Sequence, residues 1–325
     1  MADNYVTVAG AGAKTGVDWD NAFGMAEFIS DVASAAAGDF YYVMEGTYTH
    51  ASNISCSLGV YNNRLFLVGV KSGTTAEPPT ASDFATGTAR PYFTATGYNV
   101  TFGAYWKMFN IRIQNDISAS CYIGEGSVLR NSSVISVGES NFYHAVQLTG
   151  PNTIIIDCHL EALGQAVRSD DNTTDYCMFI ASYFKGEKGI VAGGMIDYQI
   201  VMNCIFDSIT LAAIDVAWGN GLRAIGNTFY ACGTGIAGTT AHSLVIMNNI
   251  FSDCTDGMKF TSTLSQQVVD YNNYYNNGTD VTGIVKGTNA LAVNPQFTDA
   301  AGGDFSLNAA SALIGAGFGI QLGVS

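Results

Sequence analysis

Asn203-Cys204-Ile205-Phe206-Asp207, Gly226-Asn227-Thr228-Phe229-Tyr230 and Asn248-Asn249-Ile250-Phe251-Ser252 repeat one pattern. A short corner residue, usually Asn, is followed by two residues, a bulky apolar residue and then polar ones. The pattern extends to Asn110–Ile113, Asn131–Val134, Asp157–Leu160, Ala181–Phe184 and Asn272–Tyr275. Its apolar anchors at 113, 134, 160, 184, 206, 229, 251 and 275 are separated by 21, 26, 24, 22, 23, 22 and 24 residues. A period of this length, with strand chemistry and no helical run inside it, makes each unit one coil of a solenoid.

A second ladder runs inside the same period, centred on Val146, Val167, Ile190, Ile214, Ile236 and Met258, with spacings of 21, 23, 24, 22 and 22. A third apolar strand precedes the next anchor, as in Ile154-Ile155-Ile156, Cys177-Met178-Phe179-Ile180, Gln199-Ile200-Val201-Met202, Leu244-Val245-Ile246-Met247 and Gln267-Val268-Val269. Three short strands per turn give a triangular parallel coil. Successive coils lie ~4.8 Å apart, so inward residues of neighbouring turns touch and backbone hydrogen bonds run along the stack. The Asn column suits tight corners, because Asn tolerates left-handed backbone. Stacked Asn side chains can also hydrogen-bond along the axis. Gly226 meets the same corner by its backbone freedom, and Asp157 and Ala181 are the weaker members.

Together with both ends of the chain, these coils resemble the right-handed parallel β-helix superfamily, the pectate-lyase-like and phage tailspike-like solenoids. Trp19-Asp20-Asn21-Ala22-Phe23, the Ala-rich segment to Ala37, Gly38-Asp39 and Glu45-Gly46-Thr47-Tyr48 look like the usual start of such a helix. Asn294-Pro295-Gln296-Phe297, Gly303-Asp304-Phe305 and the stretch from Leu307 to Gly317 look like its usual finish. The resemblance covers nearly the whole chain. It implies an all-β architecture, while the activity stays open, because such folds host lyases, hydrolases, adhesins and structural proteins.

Composition agrees, with 12% charged residues and 37 Gly among 325 residues, as expected when most side chains face a core or a tight turn. One solenoid domain is expected, with the N-terminal cap and first coil at 1–50, coils over 51–290 and a C-terminal cap at 291–325. Net charge of −14 argues against nucleic acid and fits a surface that keeps a strand-rich protein soluble. Ala22, Phe23, Ala26, Ile29, Ala33 and Ala36 fall at helical spacing, with Asp18 or Asp20 as N-cap and Gly38 as stop. That reads as a short capping helix over the first coil. No secretory signal is read at Met1-Ala2-Asp3-Asn4, and no transmembrane length occurs.

Seven dispersed Cys read as buried small hydrophobes rather than a disulfide framework, and no zinc spacing appears. Cys158 and Cys204 share one slot two coils apart, and Cys232 and Cys254 share another in adjacent coils. Between Val70 and Phe93 the strand pattern breaks at Lys71-Ser72-Gly73-Thr74-Thr75-Ala76-Glu77-Pro78-Pro79-Thr80. A loop of this kind is either a partner contact or a passive insertion.

Outward positions on the second strand align as Gln147, Arg168, Val191, Asp215, Ala237 and Lys259, and nearby turns add His144, Asp170, Asp171, Trp218 and Asn220. As a glycan-binding patch, this set offers Trp218 as a stacking platform and His144 and Asn220 as polar contacts. In a lyase of the resembling fold, Asp170, Asp171 and Asp215 would hold Ca²⁺ and Arg168 would abstract the proton α to a uronate carboxyl. A hydrolase would instead need two carboxylates at a defined separation, and these sit about two coils apart. The pectin-hydrolase relatives carry Asn-Thr-Asp, Asp-Asp, Gly-His-Gly and Arg-Ile-Lys motifs. Here only Asp170-Asp171 is present, and no His stands in a Gly-His-Gly. A further outward ladder, Glu161, Lys185, Asp207, Tyr230, Ser252 and Asn276, alternates in sign at first as a solvated strand face does. No regular Thr-x-Thr ladder of an ice-binding face appears.

The expectation is therefore a structural or adhesive β-helix of a phage particle, a tail, spike or capsid-surface component made in the host cytoplasm. Its expected partners are other virion proteins, copies of itself and cell-surface polysaccharide, with no cofactor, no resident metal and no membrane insertion. The alternative is a polysaccharide lyase or glycoside hydrolase, with Ca²⁺ as cofactor if a lyase.

Overall fold

Three columns of parallel strands wind around one apolar interior in the computed structural model. Described are residues 1–56, 59–95, 97–115, 120–137, 144–169, 174–195, 198–262 and 265–318; at 95, 193–195, 217–219, 240–242 and 265 only the backbone is described. The first column holds the anchors, paired rung by rung as Ile113, Val134, Leu160, Phe184, Phe206, Phe229, Phe251 and Tyr274. The second pairs Val146, Val167, Ile190, Ile214, Ile236 and Met258. The third pairs Ile155, Phe179, Val201, Ala224, Ile246 and Val269. These residues point inward and are buried. The rings of Phe184, Phe206, Phe229, Phe251 and Tyr274 stack with centroids 4.7, 5.0, 4.7 and 5.4 Å apart. That spacing is the interstrand distance itself, so backbone hydrogen bonding sets the stack.

The corner before each anchor is turned by one residue in the left-handed region. These are Asn110, Asn131, Asp157, Ala181, Asn203, Gly226, Asn248 and Tyr271. The last coil therefore differs from the sequence reading by one residue, since Tyr271 turns the corner and Tyr274 is the core anchor. Asn272 instead takes the next slot, which faces inward and is buried.

That inward slot carries the principal amide ladder. Asn227 Nδ2 donates to Asn249 Oδ1 at 3.0 Å, and Asn249 Nδ2 to Asn272 Oδ1 at 2.9 Å. The same oxygens accept the backbone N–H groups of Asn227 and Asn249 at 2.9 and 3.0 Å. The amide nitrogens also reach the carbonyls of Val201, Ala224 and Ile246. In earlier coils Ser132 and Ser182 supply the oxygen, accepting the N–H of Ile111 and Cys158. In the corner column the side-chain bond along the axis is Asn131 to Asn110 at 2.6 Å. All seven Cys are free and buried, and burial raises the thiol pKa of Cys121, Cys158 and Cys204 to about 12.

The N-terminal cap is shorter than its apolar spacing predicts. Trp19–Asn21 is a 3₁₀ turn whose Asp18 side chain accepts from Asn21 N–H, and the α-helix spans only Met25–Val32, burying Phe28 and Val32. Phe23 is held extended because its N–H and C=O bond to Tyr5 and Thr7, so the first strand, Asp3–Val6, outcompetes helical propensity there. At the other end, an antiparallel pair, Phe297–Asp299 with Asp304–Leu307, packs Phe297 and Phe305 against Tyr230. It covers the outer first-strand side of the last coils.

The segment after Val70 folds back on its own chain. Trp19 donates its backbone N–H to Glu77 Oε1 at 2.7 Å and its indole N–H to the Ala76 carbonyl at 3.1 Å. Phe84 joins Phe40, Phe66 and Phe109 around buried Tyr5, Tyr42, Val68 and Val70, covering the third side in the first coils. It is an intramolecular cover.

Three stability experiments check this architecture. Phe229→Ala should cost about 3–5 kcal/mol. Asn249→Ala, which orphans buried donors and acceptors at about 1–3 kcal/mol each, should exceed exposed Asn203→Ala in urea denaturation. Deleting Gly73–Thr80 should lower stability by about 2 kcal/mol, two hydrogen bonds at ~1 kcal/mol each, and an unchanged melting temperature would show that the cover contributes nothing.

Candidate functional site

The outward ladder expected on the second strand is present rung by rung as Gln147, Arg168, Val191, Asp215, Ala237 and Lys259. Register also separates its charges. Arg168 and Asp215 flank Val191, two strand spacings apart, on the order of 10 Å. Asp215 is instead ion-paired with Lys188 at 2.9 Å. His144 is 4% exposed at the start of its strand, aligned with Gln165, so it presents no surface for a glycan. Trp218 continues the second strand between Met195 and Thr240, its side chain lying outside the described set. Asn220 is exposed, and its carbonyl accepts from Tyr198 N–H. Asp170 and Asp171 lie outside the described residues. Among the described residues no group of three His, Cys, Asp or Glu could hold a metal. With Lys188 neutralising it, Asp215 does not fit the calcium role that the resembling lyases imply. Because both partners of that pair are partly solvated, Asp215→Asn or Lys188→Met should cost no more than about 1 kcal/mol in thermal denaturation.

The first-strand side carries a denser constellation. On a strand, residues two apart share a face, so His159 and Glu161 point outward together, as do Tyr183 and Lys185 one coil on. Register then aligns His159 with Tyr183 and Ile205, and Glu161 with Lys185, Asp207 and Tyr230. His159 Nε2 lies 3.0 Å from Glu161 Oε2. Its ring stacks on Tyr183 with centroids 4.8 Å apart. The Tyr183 hydroxyl donates to Asp207 Oδ2 at 2.5 Å. Burial, and then the bond to Asp207, push the Tyr183 phenol well above its ordinary pKa. Glu161 and Asp207 are thus each engaged, and the exposed Lys185 ammonium between them forms no ion pair among the described residues.

A groove of about 360 Å³ runs beside this row, lined among others by Ile135, Leu163, Lys185, Glu187 and Thr210. It opens where strand register slips between Ala162 and Gln165. Gly186 makes the slip possible. It sits at φ 148°, and a Cβ there would lie 2.2 Å from the Ala162 carbonyl oxygen. The charge alternation of Glu161, Lys185 and Asp207 is as read from the sequence, but as a row beside a cavity rather than a featureless solvated face. In the last coil its member is Tyr275, not Asn276, following the one-residue shift. The signal that could have found the site is the pairing of His159 with Glu161 and Tyr183 with Lys185 at two-residue spacing. Among the described residues no helix is long and apolar enough to cross a membrane.

The model of a right handed beta helix region matches residues 165–318. Pectate lyase Pel9A is similar over 99% of this chain and 96% of its own, at 13% identity and a TM-score of 0.57. The PL6 family polysaccharide lyase Pedsa3628 from Pseudopedobacter saltans is similar over 81% of this chain and 77% of its own, at 13% identity and 0.56. An alginate lyase from Paenibacillus sp. str. FPU-7 is similar over 87% and 99%, at 13% identity and 0.51. No curated protein sequence matches. The molecule is a right-handed parallel β-helix with the fold of the pectate-lyase-like solenoids, and at such identities the likeness is one of fold.

Proposed function

We propose that this β-helix is an adhesive protein that binds a polysaccharide chain in the first-strand groove, with Lys185 meeting a carboxylate or hydroxyl of the glycan. The observation that carries the reading is the Lys185 ammonium, which forms no ion pair among the described residues, between two engaged carboxylates beside an open groove. The likeness to three proteins named as polysaccharide lyases supports carbohydrate as the ligand class. With a net charge of −14, long-range attraction cannot recruit an acidic polymer, so affinity rests on contacts within the groove. The site of action is proposed to be the surface of a virus particle. Immunogold labelling of purified particles tests it, and absence of label from intact particles would defeat it.

A second reading, a polysaccharide lyase, is favoured by one observation. Tyr183, Lys185 and the His159–Glu161 pair place acid–base groups along one row beside the groove. A panel of uronate-containing and neutral glycans separates the two. The adhesive reading expects saturable binding of at least one glycan, weakened about tenfold or more in Lys185→Ala, no unsaturated chain ends and no effect of chelation. The lyase reading expects unsaturated ends that vanish in Lys185→Ala or Tyr183→Phe. Arg168→Ala, outside the groove, should change neither. Absence of binding and of cleavage across the panel would end both.

A further inference from the structure

The outer face of the third column carries a row of apolar residues where the chain does not cover it. The N-terminal segment and the folded-back loop bury its first coils. From Arg130 onward one outward row reads Arg130, Ile156, Ile180, Met202, Ile225, Met247 and Asp270, aligned by register. Ile156 through Met247 in that row are all partly exposed, and Arg130 is exposed. The parallel row beside it reads Ile154, Met178, Ile200, Arg223 and Val245, apolar except at the exposed Arg223. Outer faces of a solenoid are ordinarily polar, because water covers them. The row from Ile156 to Met247 is continuously apolar, and such a row marks a contact surface.

The charges at its ends decide what covers it. Arg130 forms no ion pair among the described residues, and Asp270 stands six rungs away. Burial alone would raise the Asp270 pKa, but hydrogen bonds from Asn289 and Tyr271 N–H lower it, which keeps the carboxylate ionised. Met202 lies midway, three rungs from each. We propose that the strip is the interface of a two-fold homodimer in which two helices pack antiparallel, third side against third side, with the axis at Met202 and Ile200. This operator sets Arg130 of one protomer against Asp270 of the other at both ends, Ile156 against Met247, Ile180 against Ile225, Ile154 against Val245 and Met178 against Arg223, whose two copies stand two rungs apart rather than face to face. An isologous contact of this kind closes on itself. Parallel association about an axis along the helix, as in a side-by-side dimer or trimer, would set Arg130 against Arg130 and Asp270 against Asp270. Like-charge contacts of that sort oppose it.

The strip is about 30 Å long and ~10 Å wide, from strand spacing and rise, which is less than the roughly 800 Å² per partner of a standard interface. The dimer is accordingly expected to be weak and to form only at the upper end of the concentration range. It does not rest on the glycan reading, and Lys185→Ala should leave it intact.

Sedimentation velocity of the full chain, over about a hundredfold range of concentration, tests the proposal. Wild type should pass from monomer to dimer. Arg130→Asp and Asp270→Arg should each raise the dissociation constant about tenfold or more, and the double variant should restore it to within about threefold. Met202→Glu should hold the protein monomeric while circular dichroism and melting stay native. Should Asp270→Arg disturb the last coil, Arg130→Asp and Met202→Glu carry the test. A wild type monomeric throughout, a trimer, a folded double variant that fails to recover, or singles that dimerise normally would overturn the proposal. So would a chain truncated after Phe318 that dimerises where the full chain does not, since the last seven residues would then be the cover.

Discussion

Backbone hydrogen bonding between successive coils is the constraint on which everything else depends. It fixes one spacing, ~4.8 Å, for every side chain that shares a rung. An inward column must then be filled by residues that tolerate stacking on their own kind. Phenylalanine does so face to face from Phe184 to Phe251, with interplanar angles of 11°, 7° and 3°. The same periodicity extends to polar groups. Asn227, Asn249 and Asn272 hand one amide bond to the next at that repeat, satisfying donors and acceptors that would be costly if left alone inside the core.

This doubling of Asn roles explains why the architecture could be read and where the reading slipped. The spacing of Phe206, Phe229 and Phe251, and the ladder from Val146 to Met258, follow from apolar periodicity alone, and every rung was correct. The last coil went wrong because Asn suits both the left-handed corner and the inward amide slot. Tyr271 carries the corner by backbone conformation, which no side-chain pattern announces. The helix was overextended for a related reason. Ala22 and Phe23 have helical spacing, but the edge strand offers Phe23 two hydrogen bonds that the helix would have to replace.

The site was less legible, because register fixes which residues share a rung but says little about which outward groups find one another. Arg168 and Asp215 share a column, yet Val191 lies between them and Lys188 claims the carboxylate. The groove arises from a slip at Ala162 and Gln165, a departure from the repeat, and periodic reasoning is blind to departures. Asp207 was in view as a rung of a charge ladder, and His159 and Tyr183 were not singled out. Their bonds to one another depend on ring orientation and burial.

What distinguishes this solenoid from a generic one is therefore the set of outward positions that the repeat leaves undetermined and the chain leaves uncovered. Its N-terminal segment and folded-back loop close the third side over the first coils, while Phe297 and Phe305 close the first side over the last. Two windows remain, one on each of those sides. The first-strand window sets a cavity lined largely by apolar groups, Ile135, Val137 and Leu163 among them, beside a row of charged side chains in which Lys185 forms no ion pair among the described residues. The third-strand window holds a continuous apolar row from Ile156 to Met247 with opposite charges at its ends, beside a second row interrupted at Arg223. A solenoid built only to be stable would have no reason to leave Ile180, Met202 and Ile225 against solvent, since replacing them with polar residues costs the core nothing. Their persistence along several rungs is better explained by a contact than by the fold.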